Sequence, residues 1–250
     1  MTRAFAVSPM KIIATSQSLP ASWVYAATLG GGLVGGDEIE MKADLGPGAR
    51  ALLTTQASTK VYRSRRGARQ TLVATVGSGA LLAVVPDPVV CFEAADYTQA
   101  QRYELCADAS LVVVDWLTSG RHATGERWAF SRYEGCISIS RSEHPVFHDA
   151  VVLEPDLDGV GERMGRFDVL LTAVVTGPLV MEAGERIFNS AAHEPVARNA
   201  SMIVSASKLP DGGTLLRIAA VSVEQVARTI RRSLEFLCPL LGDDPWSRKW

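Results

Sequence analysis

Six carboxylates close apolar or glycine-rich runs: Asp37 and Glu38 after GGGLVGG, Glu93 and Asp96 after PDPVVCF, Asp115 within LVVVDW, and Glu126 beyond a loop hinged at Gly120 and Gly125. Paired acids can do acid–base work, but acids at turns are equally what a solvated turn requires. Other chemistries lack their parts. No G-x-S-x-G is present, and Thr118-Ser119-Gly120 only distantly suggests a nucleophile elbow. Cys91, Cys106, Cys136 and Cys238 form no C-x-x-C, and the four histidines form no H-E-x-x-H. The thiols read as reduced and mostly buried. His144 and His148 are four apart, but Pro145 and β-branched neighbours argue for an extended segment rather than a helix that grips a metal. No catalytic signature emerges, and the residues predict a protein that is not an enzyme.

The glycine segment imitates two nucleotide motifs. Gly30, Gly32 and Gly35 satisfy G-x-G-x-x-G, and Gly31 to Gly36 has P-loop spacing. The first motif needs a helix next and an acid about 20 residues on; DEIEM alternates like a strand, and Leu52 to Ser58 holds no acid. In the second, Asp37-Glu38 replace the Lys and Ser/Thr that a phosphate needs. The segment reads as a glycine-rich bend between strands, with Asp37 and Glu38 as acids at its rim.

The elements that position these residues are short strands between Gly and Pro turns. Ala80–Val85 is a buried strand stopped by Pro86 and Pro88, which cannot donate to a ladder. Val89–Phe92 follows, then a corner that places Cys91, Glu93 and Asp96 close together, and from Tyr97 an exposed strand alternating through Thr98, Ala100, Arg102 and Glu104. Strands are also expected over Trp23–Leu29, Arg50–Thr55, Gln70–Val76, Leu111–Trp116, Val169–Thr176, Met202–Ser207 and Leu215–Val221, with a hairpin around Glu134-Gly135 that returns through CISIS. Arg63, Arg65, Arg66 and Arg69 read as a solvated face. Only at the C-terminus does the period become helical. Ser222 and Gln225 make a capping-box pattern, Val223, Val226, Ala227, Ile230, Leu234 and Leu237 form one stripe, and Pro239 ends it. The polar tail 242–250 carries Trp246 and Trp250 and reads as a disordered end or a docking peptide.

No linker and no repeat of fixed period is visible, so the expectation is one domain over residues 1–250: mainly β, with an amphipathic C-terminal helix at about 222–238. A net charge of −2 gives no pull toward nucleic acid or an anionic membrane. No apolar run approaches the ~20 residues of a bilayer span, and the N-terminus lacks a signal-peptide pattern. The expected location is cytoplasmic.

Four stretches together resemble the UreD (UreH) family of urease accessory proteins: GGLVGGDEI (Gly31–Ile39), TTQASTKVYRS (Thr54–Ser64), PDPVVCFEAADYTQ (Pro86–Gln99) and DWLTSGRHATGERW (Asp115–Trp128). The resemblance implies a two-layer, roughly helicoidal β fold and a non-enzymatic role in assembling the nickel centre of urease. It implies direct binding to a UreF-like protein, a UreG-like GTPase reached through it, docking on apo-urease, and nickel in transit with no tightly bound cofactor. On that resemblance Gly31, Gly32, Gly35 and Gly36 shape a wall, joined by Lys60, Tyr62, Arg63, Pro86, Pro88, Gly120 and Arg121. Asp37, Glu93, Asp115 and Glu126 are the acids open to a passing cation, weak oxygen ligands suiting transit where a thiolate or imidazole cage would trap the metal. Where the family often has a histidine ahead of its glycine motif, this chain has AATL, no His before His122 and a short N-terminal reach. A β-rich interaction or ligand-binding module that does not serve urease stays open as the alternative.

Overall fold

Gly46-Pro47-Gly48 and Gly77-Ser78-Gly79 each turn the chain from one β layer into the other, and the two corners stack. Gly48 N donates to Ser78 O at 2.8 Å and Gly77 N to Leu45 O at 2.9 Å. A Cβ on Gly77 would lie 2.8 Å from the Leu45 carbonyl, so only glycine lets successive corners sit this close. The computed structural model describes residues 3–14 and 20–247.

In chain order the strands are β1 (Met10–Ala14), β2 (Ser22–Thr28), β3 (Glu38–Leu45), β4 (Arg50–Thr55), β5 (Thr59–Val61), β6 (Ala68–Val76), β7 (Leu81–Val84), β8 (Val89–Cys91), β9 (Asp96–Leu105), β10 (Ser110–Thr118), β11 (Arg132–Arg141), β12 (His144–Leu153), β13 (Val169–Thr176), β14 (Met202–Lys208) and β15 (Thr214–Ala220). The helices are α1 (Pro155–Asp158), α2 (Val160–Met164), α3 (Met181–Ala192), α4 (Val223–Ser233) and α5 (Leu237–Leu241). One sheet runs β1-β2-β4-β7-β10-β13-β15-β14, with β5 and β8 joined beside β10. The facing sheet runs β12-β11-β9-β6-β3. Neighbours from β3 to β11 in the second sheet, and from β2 to β10 in the first, are parallel. The chain therefore winds, adding one strand to each layer per coil. The fold is mainly β with a C-terminal helical segment, as the strand pattern predicts, and two-layered and helicoidal, as the family resemblance implies.

Two apolar layers result. Between the sheets lie Leu72, Tyr103, Leu111, Val113 and Ile137 toward one end, and Leu33, Val61, Tyr97, Leu117 and Phe130 toward the other. Behind the larger sheet, Trp23, Leu52, Val112, Val114 and Leu171 pack against Ile187 of α3, Val226 and Ile230 of α4, and Leu234 and Leu241 beyond it. Burying a side chain such as Ile230 contributes about 1.5–3 kcal/mol.

Several expectations are corrected. β9 is a central strand, not an exposed one: its other phase, Tyr97, Gln99, Tyr103 and Leu105, is buried. β11 runs straight through Glu134-Gly135, and the hairpin turn falls at Ser142-Glu143, both at positive φ. A helix absent from the sequence reading, α3, covers the larger sheet. The C-terminal stripe is two helices, α4 and α5. Pro239 stands in the first turn of α5, where its missing N–H has no partner to lose, and Gly242 ends that helix. Ser222 Oγ accepts from Gln225 N at 3.4 Å, but the Gln225 side chain donates to Ser201 Oγ, so only half of the capping box forms. Of the four thiols only Cys91 is buried. Trp246 is packed into the core beside the helices rather than displayed for docking, and Trp250 lies outside the described residues. The winding is itself a repeat, carried by corners and not by side chains that match from coil to coil.

Candidate functional site

The four sequence motifs meet in two places. The first is a surface knot. Leu33, inside the glycine bend, bridges to Val61 of β5: Leu33 N donates to Lys60 O at 2.7 Å and Tyr62 N to Leu33 O at 2.9 Å. A Cβ on Gly32 would lie 2.5 Å from the Tyr62 ring and 2.7 Å from Lys60 O, and one on Gly35 would overlap Ser64. Gly31 and Gly36 have positive φ, and Gly31 O accepts from the Tyr62 hydroxyl at 3.5 Å. Asp37 closes the bend by accepting from Val34 N at 2.8 Å. Tyr62 meets Phe92 edge-on at 5.0 Å, and the Arg121 guanidinium lies 4.4 Å over the Phe92 ring. Arg121 pairs with Glu126, which also accepts from Glu93 N at 3.2 Å. The Arg121 hydrogen bond holds the Glu126 carboxyl below its usual range. Gly120, at φ 130°, lets the strand end turn into this loop. Arg63, Arg65, Arg66 and Arg69 are exposed, as a solvated face should be.

The second place is the gap between the sheets. Odd-numbered residues of β10 face the smaller sheet: Leu111 and Val113 join one apolar cluster and Leu117 the other. Between them comes Asp115. Opposite it runs a row that the register places side by side, Gln70 on β6, Gln99 on β9 and Gly135 on β11. Gln99 Nε2 donates to Asp115 Oδ1 at 2.6 Å and to the Tyr133 hydroxyl at 3.1 Å; the Tyr97 hydroxyl donates to Gln70 Oε1 at 3.2 Å. A polar belt thus crosses an otherwise apolar interlayer. Asp115 is half-buried between the sheets, and burial pushes its carboxyl up to about 6, against the Gln99 hydrogen bond and with the help of the negative Asp149.

A cavity opens on each side of the belt. One of about 250 Å³ is lined by Met10, Thr55, Gln70, Asp87, Gln99 and Asp115 among others. The other, of about 380 Å³, is lined by Asp115, Tyr133, Gly135, Asp149, Leu170 and Arg217 among others. Asp115 and Trp116 belong to both. Pro86 lines the first cavity, its O accepting from Trp116 Nε1 at 2.9 Å, and Pro88 O accepts at 3.2 Å from the N of Thr59, another lining residue. The residue between them, Asp87, is buried and accepts from Thr55 Oγ1 at 3.0 Å.

The four carboxylates named from sequence therefore stand in different surroundings. Asp115 lies in the gap, Glu93 is exposed, Glu126 is committed to Arg121, and Asp37 to its own bend. Among the described residues no three His, Cys, Asp or Glu side chains converge as a metal cage. Cys91 and Asp96 are neighbours, and burial, aided by Asp96, pushes the Cys91 thiol well up, so it is an inert core thiol. Sequence reasoning missed Gln70, Asp87, Gln99, Tyr133 and Asp149. The signal lies in β9, where Tyr97, Gln99, Gln101 and Tyr103 alternate as regularly as Thr98, Ala100, Arg102 and Glu104.

The urease accessory protein UreD family model matches residues 1–250. Over all of this chain and 80% of its own length, a urease accessory protein UreD of Sorangium cellulosum is 50% identical. Urease accessory protein D of Arabidopsis thaliana is 37% identical over 98% of this chain and 94% of its own length. A match that spans the chain at such identity carries the fold and the motifs together: the chain belongs to the UreD family of urease accessory proteins.

Proposed function

We propose that this chain joins apo-urease to a UreF-like protein, with a UreG-like GTPase held through that partner, and that nickel in transit crosses the gap between its two sheets past Asp115. Family membership supports a role in urease maturation. The observation that carries the conduit is the pair of cavities that share Asp115. An ionised carboxylate between apolar clusters is costly unless a cation or water meets it. A single carboxylate with amide and hydroxyl neighbours offers the weak oxygen ligation that lets a divalent ion arrive and leave, whereas a preformed cage would hold it.

The test is Asp115→Asn, co-expressed with the urease subunits and the other accessory proteins. The expected result is a complex that still co-purifies, a near-normal melting temperature and urease with several-fold less nickel. Full nickel loading with Asp115, Asp37 and Glu126 all neutralised would rule out an acidic path. Loss of the complex, or a large fall in melting temperature, would assign Asp115 to the fold instead. Failure to capture a UreF-like protein in the same pull-down would remove the bridging role.

A further inference from the structure

We propose, on the conduit reading above, that Gln99 is the gate of the passage: its amide turns NH₂ toward Asp115 when the passage is empty and inverts to present oxygen when a divalent cation lies against that carboxylate. Gln99 lines the first cavity, while Tyr133 and Gly135 line the second. The hydrogen bonds from Gln99 Nε2 to Asp115, at 2.6 Å, and to Tyr133, at 3.1 Å, therefore span the boundary between the two spaces. Gln99 is buried, so its orientation is set by these partners and not by solvent.

The chemistry of the amide decides which end faces where. Only the NH₂ end can face an ionised carboxylate without repulsion, and only the oxygen end can share a cation with it. The amide thus occupies, with its own partial positive charge, the place a cation would take. The terminal torsion of glutamine is broad and roughly two-fold, so inversion needs no backbone movement.

The surroundings accept both states. Tyr97 and Tyr133 carry hydroxyls that can each donate or accept. In the present state the Tyr133 oxygen accepts from Gln99 Nε2, and the Tyr97 hydroxyl lies 3.2 Å from Gln70 Oε1 and 3.5 Å from Gln99 Oε1. After inversion Tyr133 donates to Gln99 Oε1 and Tyr97 accepts from Nε2, so no buried polar group loses its partner. Gly135 completes the device, since a Cβ there would lie 2.7 Å from the Tyr133 hydroxyl and displace it. A gate of this kind opens to positive charge and ignores anions and apolar solutes.

The experiment compares Gln99→Glu, Gln99→Leu and Asp115→Asn in the complete co-expressed assembly. Nickel retained on this chain, nickel delivered to urease and melting temperature are measured together. Gln99→Glu places oxygen opposite Asp115 permanently; the expected result is about tenfold more nickel retained on the chain and severalfold less in urease. Gln99→Leu offers neither end and should lower delivery severalfold with no retention. A merely structural role would not create retention. Wild-type retention and delivery in Gln99→Glu would overturn the gate; if Asp115→Asn still slowed delivery, the conduit would stand without it, and if neither mattered the conduit would fall too. Should Gln99→Glu not fold, wild-type crystals soaked in nickel chloride decide. An anomalous peak bounded by Asp115 and Gln99 Oε1 supports inversion, and a peak with NH₂ still on the carboxylate, or no peak, overturns it.

Discussion

Asp149 on β12 and Asp115 on β10 wall the same cavity from opposite sheets, and the charge of Asp149 adds to burial in holding the Asp115 carboxyl at about 6. Asp149 itself is paired, accepting from Arg217 Nη2 at 2.8 Å, so the cavity has an ion-paired acid on one side and a half-buried one on the other.

A raised carboxyl pKa makes a definite stability claim. The unfolded chain ionises Asp115 near 4 and the folded chain only near 6, so this group's contribution is complete below the unfolded value and is lost as pH rises through the folded one. Asp115→Asn should remove that dependence. Urea melts at pH 4 and pH 7 are expected to show the variant gaining about 2–3 kcal/mol on wild type across the interval. Parallel curves would mean that Asp115 is solvated.

The glycine bend is tight because backbone and ring atoms crowd it, and a methyl group should report this. Gly32→Ala meets the Tyr62 ring and the Lys60 carbonyl and is expected to cost about 1–3 kcal/mol. Gly46→Ala, with open space at its Cβ and no positive φ, should change stability by less than about 0.5 kcal/mol. Thermal melts of both variants check the contrast.

The bend is followed by β3 and not by a helix, and the Asp37 carboxylate already occupies a backbone donor, Val34 N, that a phosphate would need. Calorimetry with NAD and with GTP should show no binding by the isolated chain. Micromolar affinity for either would overturn this reading of the glycines.

Arg141, the last residue of β11, ties the two layers at one end. Its guanidinium donates to the carbonyls of Cys106, Ala107 and Ala109, to Thr176 Oγ1 and, at 2.7 Å, to Asp211. Its side chain is only 11% exposed, so truncation leaves several acceptors without this donor. Arg141→Ala is expected to cost about 2–4 kcal/mol, seen in a denaturant melt. Arg141→Lys should recover only part, since an ammonium cannot reproduce the fork.

Much of the fold was legible because the strands end where Gly and Pro force them to. Arg50–Thr55 and Val169–Thr176 match their sequence bounds, and Pro86 and Pro88 stop β7 as a missing donor must. The failures share one cause. β9 is polar on both phases, so alternation could not say which side faces inward; tertiary pairing with β6 and β11 decides it. Glu134-Gly135 resembles a turn, yet the glycine is there to clear the Tyr133 hydroxyl. The site was half legible for the same reason. Asp115 stands out as a carboxylate in a β-branched run, whereas the residues it answers to become its neighbours only when separate coils stack.

The winding from β3 to β11 also imposes an order in time. Each coil pairs mainly with the one before it, so strands can be laid down as the chain leaves the ribosome, without waiting for a distant segment. β11 delivers Tyr133 and Gly135 only after β3 to β10 are in place. The second cavity beside Asp115 is walled later still, by Asp149, Leu170 and Arg217, so a chain stopped after β11 would show Asp115 beside an open trough.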